Sequence, residues 1–361
     1  MRIAIVSDAW RPQINGVVTT LENTVQTAQE LGHRVELISS AGLRSIACPS
    51  YPEIRLALRP ARAVRRRLQQ FAPEAIHIAT EGPLGLAARS YCLGRRLAFT
   101  SSFHSQFPDY VQQRWGIPTS VGYAYLRWFH APAARTLVGT STVRADLQAR
   151  GFTHLAPWSR GVDTALFRPD AQARRAAGAR WPRPIMLYAG RVAVEKNLEA
   201  FLRLALPGTK LIVGDGPALG ELRRRYPEAT FLGYQFGSAL ARQLAGADVF
   251  VFPSRTDTFG IVMLEALASG LPVAAFPVQG PRDVVQPGRT GVLHEDLAAA
   301  IRGAIELDPA PCRAFAQTHT WERCTRAFIG HLASTAAPAV MVPTAGVKLP
   351  PSREMESFRV Q

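Results

Sequence analysis

The run "RIAIVS" (2–7) is apolar over most of its length, which suits a strand buried on both faces. "AWRPQING" (9–16) reads as a loop. "VVTTLENTVQTAQEL" (17–31) then sets its apolar residues at helical spacing and stops at Gly32. "RVELIS" (34–39) is the next strand. This strand–loop–helix–strand unit opens a parallel α/β domain. The pattern recurs at "EAIHIA" (74–79), "RLAFTS" (96–101) and "TLVGTS" (136–141). Around "WSRGVDTALFRPD" (158–170) the alternation breaks, and a helical stretch rich in arginine and alanine follows.

A second α/β run then begins. "PIMLYAG" (184–190), "KLIVG" (210–214), "ATFLG" (229–233), "DVFVFPS" (248–254) and "LPVAAF" (271–276) read as strands. "RVAVEKN" (191–197) is a loop opening a helix, and "DGP" (215–217) is a turn. The expected fold class is α/β: two tandem Rossmann-like, doubly wound domains facing across a cleft, with loops at the carboxyl ends of parallel strands. The expected bounds are 1–165 and 166–319. A helix over 320–335 is expected to cross back to the first domain. The stretch 336–361 has proline, glycine and no helical or strand period, and reads as a disordered tail.

Composition narrows the class. Hydrophobic residues make up 47% of 361, ordinary for a globular chain of two domains. No apolar run reaches the roughly 20 residues of a membrane-spanning helix. Asp8 interrupts the N-terminus too early for a signal peptide. Cys48, Cys92, Cys312 and Cys324 are scattered, with no zinc spacing, so a reduced, cytoplasmic protein is expected. The net charge is +15, and lysine occurs only at 196, 210 and 348. The bland reading is a GC-rich genome that writes arginine for lysine. The distribution still matters. Residues 1–180 hold 23 Arg against 11 acids, and the remainder holds 19 basic against 16 acidic residues. The excess lies in the first half and suits an anionic partner.

The richest motif is "RTDTFGIVMLEALASG" (255–270). Asp257 and Glu265 are eight positions apart. A helix from about Phe259 to Ala268, ended at Gly270, separates them by about 12 Å of helical rise. Glycosidase carboxylates sit roughly 5–9.5 Å apart, so the geometry disfavours a shared acid–base pair. Asp257 precedes the helix, whose first free amides suit an anion. An extended ligand then fits: a polar group at Asp257, phosphate at the helix start, hydroxyls at Glu265. The alternative is an N-cap aspartate and a surface glutamate on an ordinary helix. "GRVAVEKN" adds Arg191 and Lys196 after the first strand of the same domain, where both can reach a diphosphate. No D-x-D occurs, so no metal or other cofactor is expected. Fixed cations and helix amides are left to stabilise the leaving group.

At this point the chain resembles family 4 of the retaining glycosyltransferases, which have the two-Rossmann GT-B fold. The resemblance covers about residues 1–335. It rests on "INGV" (14–17), "SFHSQFPDY" (102–110), "STVRADL" (141–147), "RGVDTALFRP" (160–169), "AGRVAVEKN" (189–197), "VGDGP" (213–217), "PSRTDTFGIVMLEALASGLPV" (253–273) and "TWE" (320–322). The family usually shows E-x7-E. Here the first acid is Asp257, one methylene shorter, as in a branch resembling GDP-mannose-dependent α-mannosyltransferases and sulfolipid synthases. The resemblance implies that Glu265 holds the ribose hydroxyls. It implies that Asp257 and the Thr258–Phe259–Gly260 backbone hold the donor hexose. Ile261 and Val262 amides, Arg191 and Lys196 would hold the diphosphate, with Gly16 giving close backbone approach. His104 would line the donor sugar, or be an ordinary structural histidine. Glu81 would face the acceptor, or be a solvated loop acid. Tyr234 and Gln235 would neighbour the base. The implied reaction is front-face transfer with retention, the departing phosphate taking the acceptor proton.

"RPARAVRRRLQQFAPE" (59–74) is the most basic stretch. Ala61, Val64, Leu68 and Phe71 share one helical face, and Arg62, Arg65, Arg66 and Arg67 cover much of the rest. Such a helix packs its apolar face on the sheet, lies on anionic lipid at about 1 kcal/mol per cation, or does both. The expected partners are a nucleoside-diphosphate sugar, a lipid or glycan acceptor and an anionic membrane surface, with the enzyme peripheral on its inner face. A sugar-nucleotide epimerase is the rival reading. A nucleic-acid partner is not expected, because no binding motif or basic–aromatic interleaving accompanies the charge.

Overall fold

The computed structural model describes residues 1–48, 51–104, 106–109, 112, 116 and 118–337. The chain forms two doubly wound α/β domains, as the pattern predicts. The N-terminal sheet comprises β1 (Arg2–Val6), β2 (Arg34–Ile38), β5 (Ala75–Ile78), β6 (Thr100–Phe103), β7 (Arg135–Val138) and β8 (Leu155–Pro157). All are parallel, in the order β2-β1-β5-β6-β7-β8. The C-terminal sheet comprises β9 (Ile185–Ala189), β10 (Thr209–Val213), β11 (Thr230–Gly233), β12 (Val249–Phe252), β13 (Val273–Ala275) and β14 (Gly291–Leu293), ordered β11-β10-β9-β12-β13-β14. Each sheet reverses its winding at its first strand, β1 between β2 and β5 and β9 between β10 and β12, and the loops there form the crevice.

Helices cover both faces, which is why Ile3–Val6 of β1 and all of β9 read as unbroken apolar runs. Ile3, Ile5, Ile185 and Leu187 are fully buried. In the N-terminal domain these helices are α1 (Gly16–Glu30), α2 (Ala61–Phe71), α3 (Pro83–Arg95), α4 (Thr119–His130) and α5 (Ser141–Ala149). Asn15 starts α1 by accepting from Val17 N and Val18 N at 3.0 Å. One element was not foreseen: an antiparallel hairpin of β3 (Ser45–Cys48) and β4 (Tyr51–Ala57).

The C-terminal domain adds α6 (Ala171–Arg180), α7 (Leu198–Leu202), α8 (Leu219–Arg225), α9 (Gly237–Gly246), α10 (Ile261–Ala268), α11 (Pro281–Val284), α12 (Leu297–Ile305) and α13 (Ala310–Gln317). The last helix, α14 (Trp321–His331), packs on α1, and its Cys324 and Phe328 join the core around Ile3, Ile5 and Trp158. Two chain crossings join the domains side by side. Val162 N donates to His319 O at 2.8 Å, and a Cβ on Gly161 would lie 2.5 Å from Trp321 N. After α14, Thr335 N donates to Glu74 O at 2.9 Å. The expected tail lies outside the described residues from 338 onward.

Candidate functional site

Four adjacent strands end in the loops that build the site on the C-terminal domain. β9 leads to Gly190–Asn197, β10 to Gly214–Pro217, β11 to Tyr234–Gly237 and β12 to Pro253–Gly260. The loops are held backbone against backbone. Gly214 N donates to Gly233 O, and Val192 N to Asp215 O. A Cβ on Gly214 would lie 1.8 Å from Gly190 O, and one on Gly216 would lie 2.4 Å from Val192 O. "GDGP" is therefore the scaffold of the Arg191–Lys196 loop. Asn197 Nδ2 donates to Pro253 O at 3.1 Å and ties that loop to the one carrying Asp257.

Lys196 Nζ lies 2.5 Å from Asp257 Oδ1, joining two residues 61 positions apart. Reading them separately gave Lys196 to the diphosphate and Asp257 to the sugar, and missed this ion pair. The other oxygen, Asp257 Oδ2, is buried with no partner. Arg191 is half-buried, and Tyr188 Oη donates to its carbonyl at 2.8 Å.

The helix α10 starts at Ile261, two residues later than the spacing suggests, because Gly260 adopts φ +80° and ends the loop. The 12 Å rise therefore does not apply between Asp257 and Glu265. Only the steps from Ile261 onward are helical. What separates the two acids is their surroundings. Asp257 is committed to Lys196. Glu265 is half-buried, no described residue donates to its carboxylate, and burial pushes its pKa from near 4.5 to about 7. No side chain caps α10, so its first amides face the cleft.

Phe259 is buried in the core, so only its backbone faces the site. Val262 is half-buried and packs on the same core. Tyr234 stacks on Phe236 with centroids 5.6 Å apart, both exposed. Gln235 Oε1 beside them is buried and unpartnered.

The N-terminal domain closes over this array. A Cβ on Gly16, at the start of α1, would lie 3.7 Å from Ile261 Cδ1, so two helix N-termini face each other. Thr258 Oγ1 donates to His104 O at 2.7 Å. The His104 ring turns into its own domain. Arg160 Nη2 donates to Nδ1 at 3.1 Å, so the proton sits on Nε2, which donates to Ser102 Oγ at 2.8 Å. Burial, then the Arg160 charge, then His77 and His130 hold this histidine well below its ordinary pKa, so it is neutral.

Sequence reasoning gave Arg160 no role. It is a buried guanidinium with no carboxylate partner among the described residues. It bonds the carbonyls of Trp158 and Ser159, and its pKa falls to about 10 through desolvation. One arginine among so many gives no signal of its own.

Glu81 follows β5, between the loops of Gly16 and His104. Its carboxylate meets His130 Nε2 at 3.1 Å, and Tyr125 Oη donates to its carbonyl at 2.6 Å. Asp8, also missed, is buried under this loop. It accepts from Leu84 N at 2.9 Å and fixes the start of α3, with its pKa raised by desolvation.

On α2, Val64 and Leu68 are buried and Arg62, Arg65 and Arg66 are exposed. Arg67 departs from the expected row. Its guanidinium bonds Glu36 and Leu37 O at the sheet edge. Ala61 is exposed rather than packed. Among the described residues, no helix is long and apolar enough to cross a membrane.

Two family models match the chain: glycosyltransferase family 4 over residues 14–166 and glycosyl transferases group 1 over residues 183–307. A GDP-mannose-dependent alpha-mannosyltransferase from Mycobacterium tuberculosis is 32% identical over 317 residues, 81% of this chain and 83% of that protein. An alpha-monoglucosyldiacylglycerol synthase from Streptococcus pneumoniae is 26% identical over 352 residues, 86% of this chain and 79% of that protein. Among solved structures, sucrose-phosphate synthase from Thermosynechococcus elongatus superposes with a TM-score of 0.75 at 21% identity. The match covers 91% of this chain and 97% of that one, a likeness of fold, GT-B.

Proposed function

Since the chain belongs to family 4 of the glycosyltransferases, we propose that it moves a hexose, with retention, from a nucleoside-diphosphate sugar to a lipid hydroxyl. The observation that carries this reading is the unanswered oxygen of Asp257, with the desolvated Glu265 carboxylate beyond it. Asp257 Oδ2 is buried without a donor, and Glu265 is desolvated without one. A buried acceptor left unpaired is costly, so Asp257 Oδ2 favours a donor from a ligand, and the half-buried Glu265 carboxylate has acceptor capacity that ligand hydroxyls can use. Between them lie the uncapped amides of α10, which suit a diphosphate. Ribose hydroxyls at Glu265 and a hexose hydroxyl at Asp257 complete the fit.

In the transfer step, the acceptor oxygen bonds to the anomeric carbon as the carbon–phosphate oxygen bond breaks on the same face. The acceptor proton passes to the departing diphosphate oxygen. Lys196, Arg191 and the α10 amides carry the charge of the leaving group, with no metal.

The M. tuberculosis relative's name makes GDP-mannose the first donor to test. The S. pneumoniae relative's name supports the second reading, a UDP-hexose donor and a diacylglycerol acceptor. An exposed row on α4 supports a lipid acceptor. Val121, Tyr125 and Trp128 are 57%, 37% and 39% exposed, and Arg89 stacks over Trp128 at 4.0 Å. Exposed aromatic side chains on one helix face suit the headgroup layer of a membrane, and the buried Arg89 fixes the Trp128 ring from below. Tyr125 also bonds the Glu81 loop, which links this face to the acceptor side of the cleft. The arginines of α2 add cationic surface, and the enzyme works from the cytoplasmic face.

The test is a panel of GDP-mannose, UDP-glucose and UDP-sulfoquinovose, read first by thermal shift. Each donor is then incubated with diacylglycerol vesicles, and the anomeric configuration of the product is read by NMR. An α-linked glycolipid is expected. An epimerised sugar nucleotide from donor alone would overturn the reading in favour of an epimerase, and a β-linked product would overturn retention.

A further inference from the structure

We propose that Asp283 is a positioning residue, a latch that ties closure of the two domains to the geometry of the donor-sugar loop. The inference rests on the reading that Asp257 holds the donor hexose.

The two domains are joined at one edge by the paired crossings at Val162 and Thr320. Contacts across the cleft therefore set the angle between them. Thr258 donates to His104 O, and Gln106 bonds Gln279. The densest contact is at Asp283. Its Oδ1 accepts from Ser141 N at 3.1 Å, Ser141 Oγ at 2.6 Å and Thr142 N at 3.1 Å. Its Oδ2 accepts from Thr142 Oγ1.

The helix α5 already has its own cap, since Thr140 Oγ1 accepts from Val143 N at 3.3 Å. Asp283 is a second acceptor, supplied by the other domain, and it takes the first two amides. A carboxylate at the positive end of a helix, with charge-assisted bonds, favours the closed arrangement.

The other end of the same short helix reaches the site. Gly280 begins α11, and both Asp283 N and Val284 N bond Gly280 O. Gly280 backs onto the donor-sugar loop. A Cβ there would lie 2.6 Å from Asp257 O and 3.3 Å from Phe259 O, and φ is +81°. So α11 is a short arm. One end seats on α5 of the N-terminal domain. The other presses on the backbone between Asp257 and Phe259. When the domains part, Asp283 leaves α5 and the arm loses its outer support. When they close, the loop is set. Asp283 acts through that loop and touches no substrate.

The test uses the full chain with Asp283→Ala, Asp283→Asn and the double variant Ser141→Ala/Thr142→Ala. GDP and UDP are titrated by calorimetry, and compactness is read by small-angle X-ray scattering with the nucleotide saturating. Turnover is read on the donor panel. Affinity for the better-bound nucleotide is expected to stay within about threefold, because Glu265 and α10 are untouched, while kcat falls about 5- to 150-fold. Asp283→Ala should enlarge the radius of gyration of the nucleotide-bound protein. Asp283→Asn keeps an oxygen for the two amides and should recover part of the loss. Adding Ser141→Ala/Thr142→Ala to Asp283→Ala should cost nothing further. An unchanged radius of gyration, or losses that add, would overturn the latch. An enlarged radius with wild-type kcat would overturn the coupling to the sugar loop. A wild type that turns over no donor, with Asp283→Ala still enlarged, would sink the transferase reading and leave the latch standing.

Discussion

Glu265→Gln separates a cost to stability from a gain in binding. Burial raises the Glu265 pKa from about 4.5 to about 7. The folded state then holds this proton more tightly than the unfolded chain. Between those two pH values unfolding releases a proton, so stability falls as pH rises through the window and levels off above about 7. A shift of roughly 2.5 units at 1.36 kcal/mol each sets an upper bound of about 3 kcal/mol. The side chain is half-buried, and solvent screening trims this to about 2 kcal/mol. Glutamine keeps the shape without the charge. The ligand-free variant should match wild type near pH 4.5 and exceed it by about 2 kcal/mol at pH 8.

Binding should move the other way. On the proposed ribose assignment, two hydroxyls would donate to the charged carboxylate, which favours ionisation. Nucleotide binding near pH 6.5 should then release a proton, and affinity should weaken as pH falls through about 7. Glutamine offers a single weaker acceptor, so GDP or UDP affinity should fall about 10- to 100-fold. Denaturant titrations at pH 4.5, 6 and 8 give the stability gap. Calorimetry in buffers of different ionisation enthalpy counts the proton. A gap that does not change with pH would refute the desolvation argument. Wild-type nucleotide affinity in the variant would refute the ribose assignment.

Three further outcomes follow from the same geometry. Lys196→Ala strips Asp257 of its partner, so transfer should fall about 10²- to 10³-fold in kcat with the fold intact by circular dichroism; near-normal turnover would sink the charge-stabilising role. Gly214→Ala drives a Cβ to 1.8 Å from Gly190 O at φ +144°, and should cost at least about 2 kcal/mol and weaken donor binding. A melting temperature equal to wild type would contradict that packing. Tyr125→Ala/Trp128→Ala should weaken sedimentation with phosphatidylglycerol vesicles about tenfold while leaving nucleotide affinity unchanged. If Arg62→Ala/Arg65→Ala/Arg66→Ala gives the larger loss instead, α2 is the principal lipid contact.

The strands that were legible are those whose burial on both faces leaves an apolar run, such as Ile3–Val6 and Ile185–Ala189. β8 and β14 were not: each is three residues long and only partly buried, whereas β13, equally short, is buried throughout and sits in an apolar run. The β3–β4 hairpin was missed because it pairs only with itself, outside both sheets. The start of α10 was placed two residues early, since positive φ at Gly260 leaves no mark in the apolar spacing. The site's residue types were legible from motifs, but its pairings were not. Lys196 with Asp257, Arg160 with His104 and Asp283 with Ser141 join residues 61, 56 and 142 positions apart. No local periodicity records a contact of that kind.

The shortened acid at 257 gains a physical meaning from its partner. Lys196 reaches Asp257 Oδ1 from the neighbouring loop, and Gly280 packs against the Asp257 carbonyl from behind. The backbone and one carboxylate oxygen are therefore both fixed. A glutamate here would carry its carboxylate about 1.5 Å further into the cleft, or fold back and give up Lys196. Aspartate keeps the ion pair, and sets the second oxygen back, buried and without a partner. The pocket beside it gains depth of about one bond length where a hexose hydroxyl would sit. On the proposed reading, sugar choice would turn on the depth of the acid together with the reach of the lysine. The two residues form one unit, and exchanging either alone disturbs the position of both.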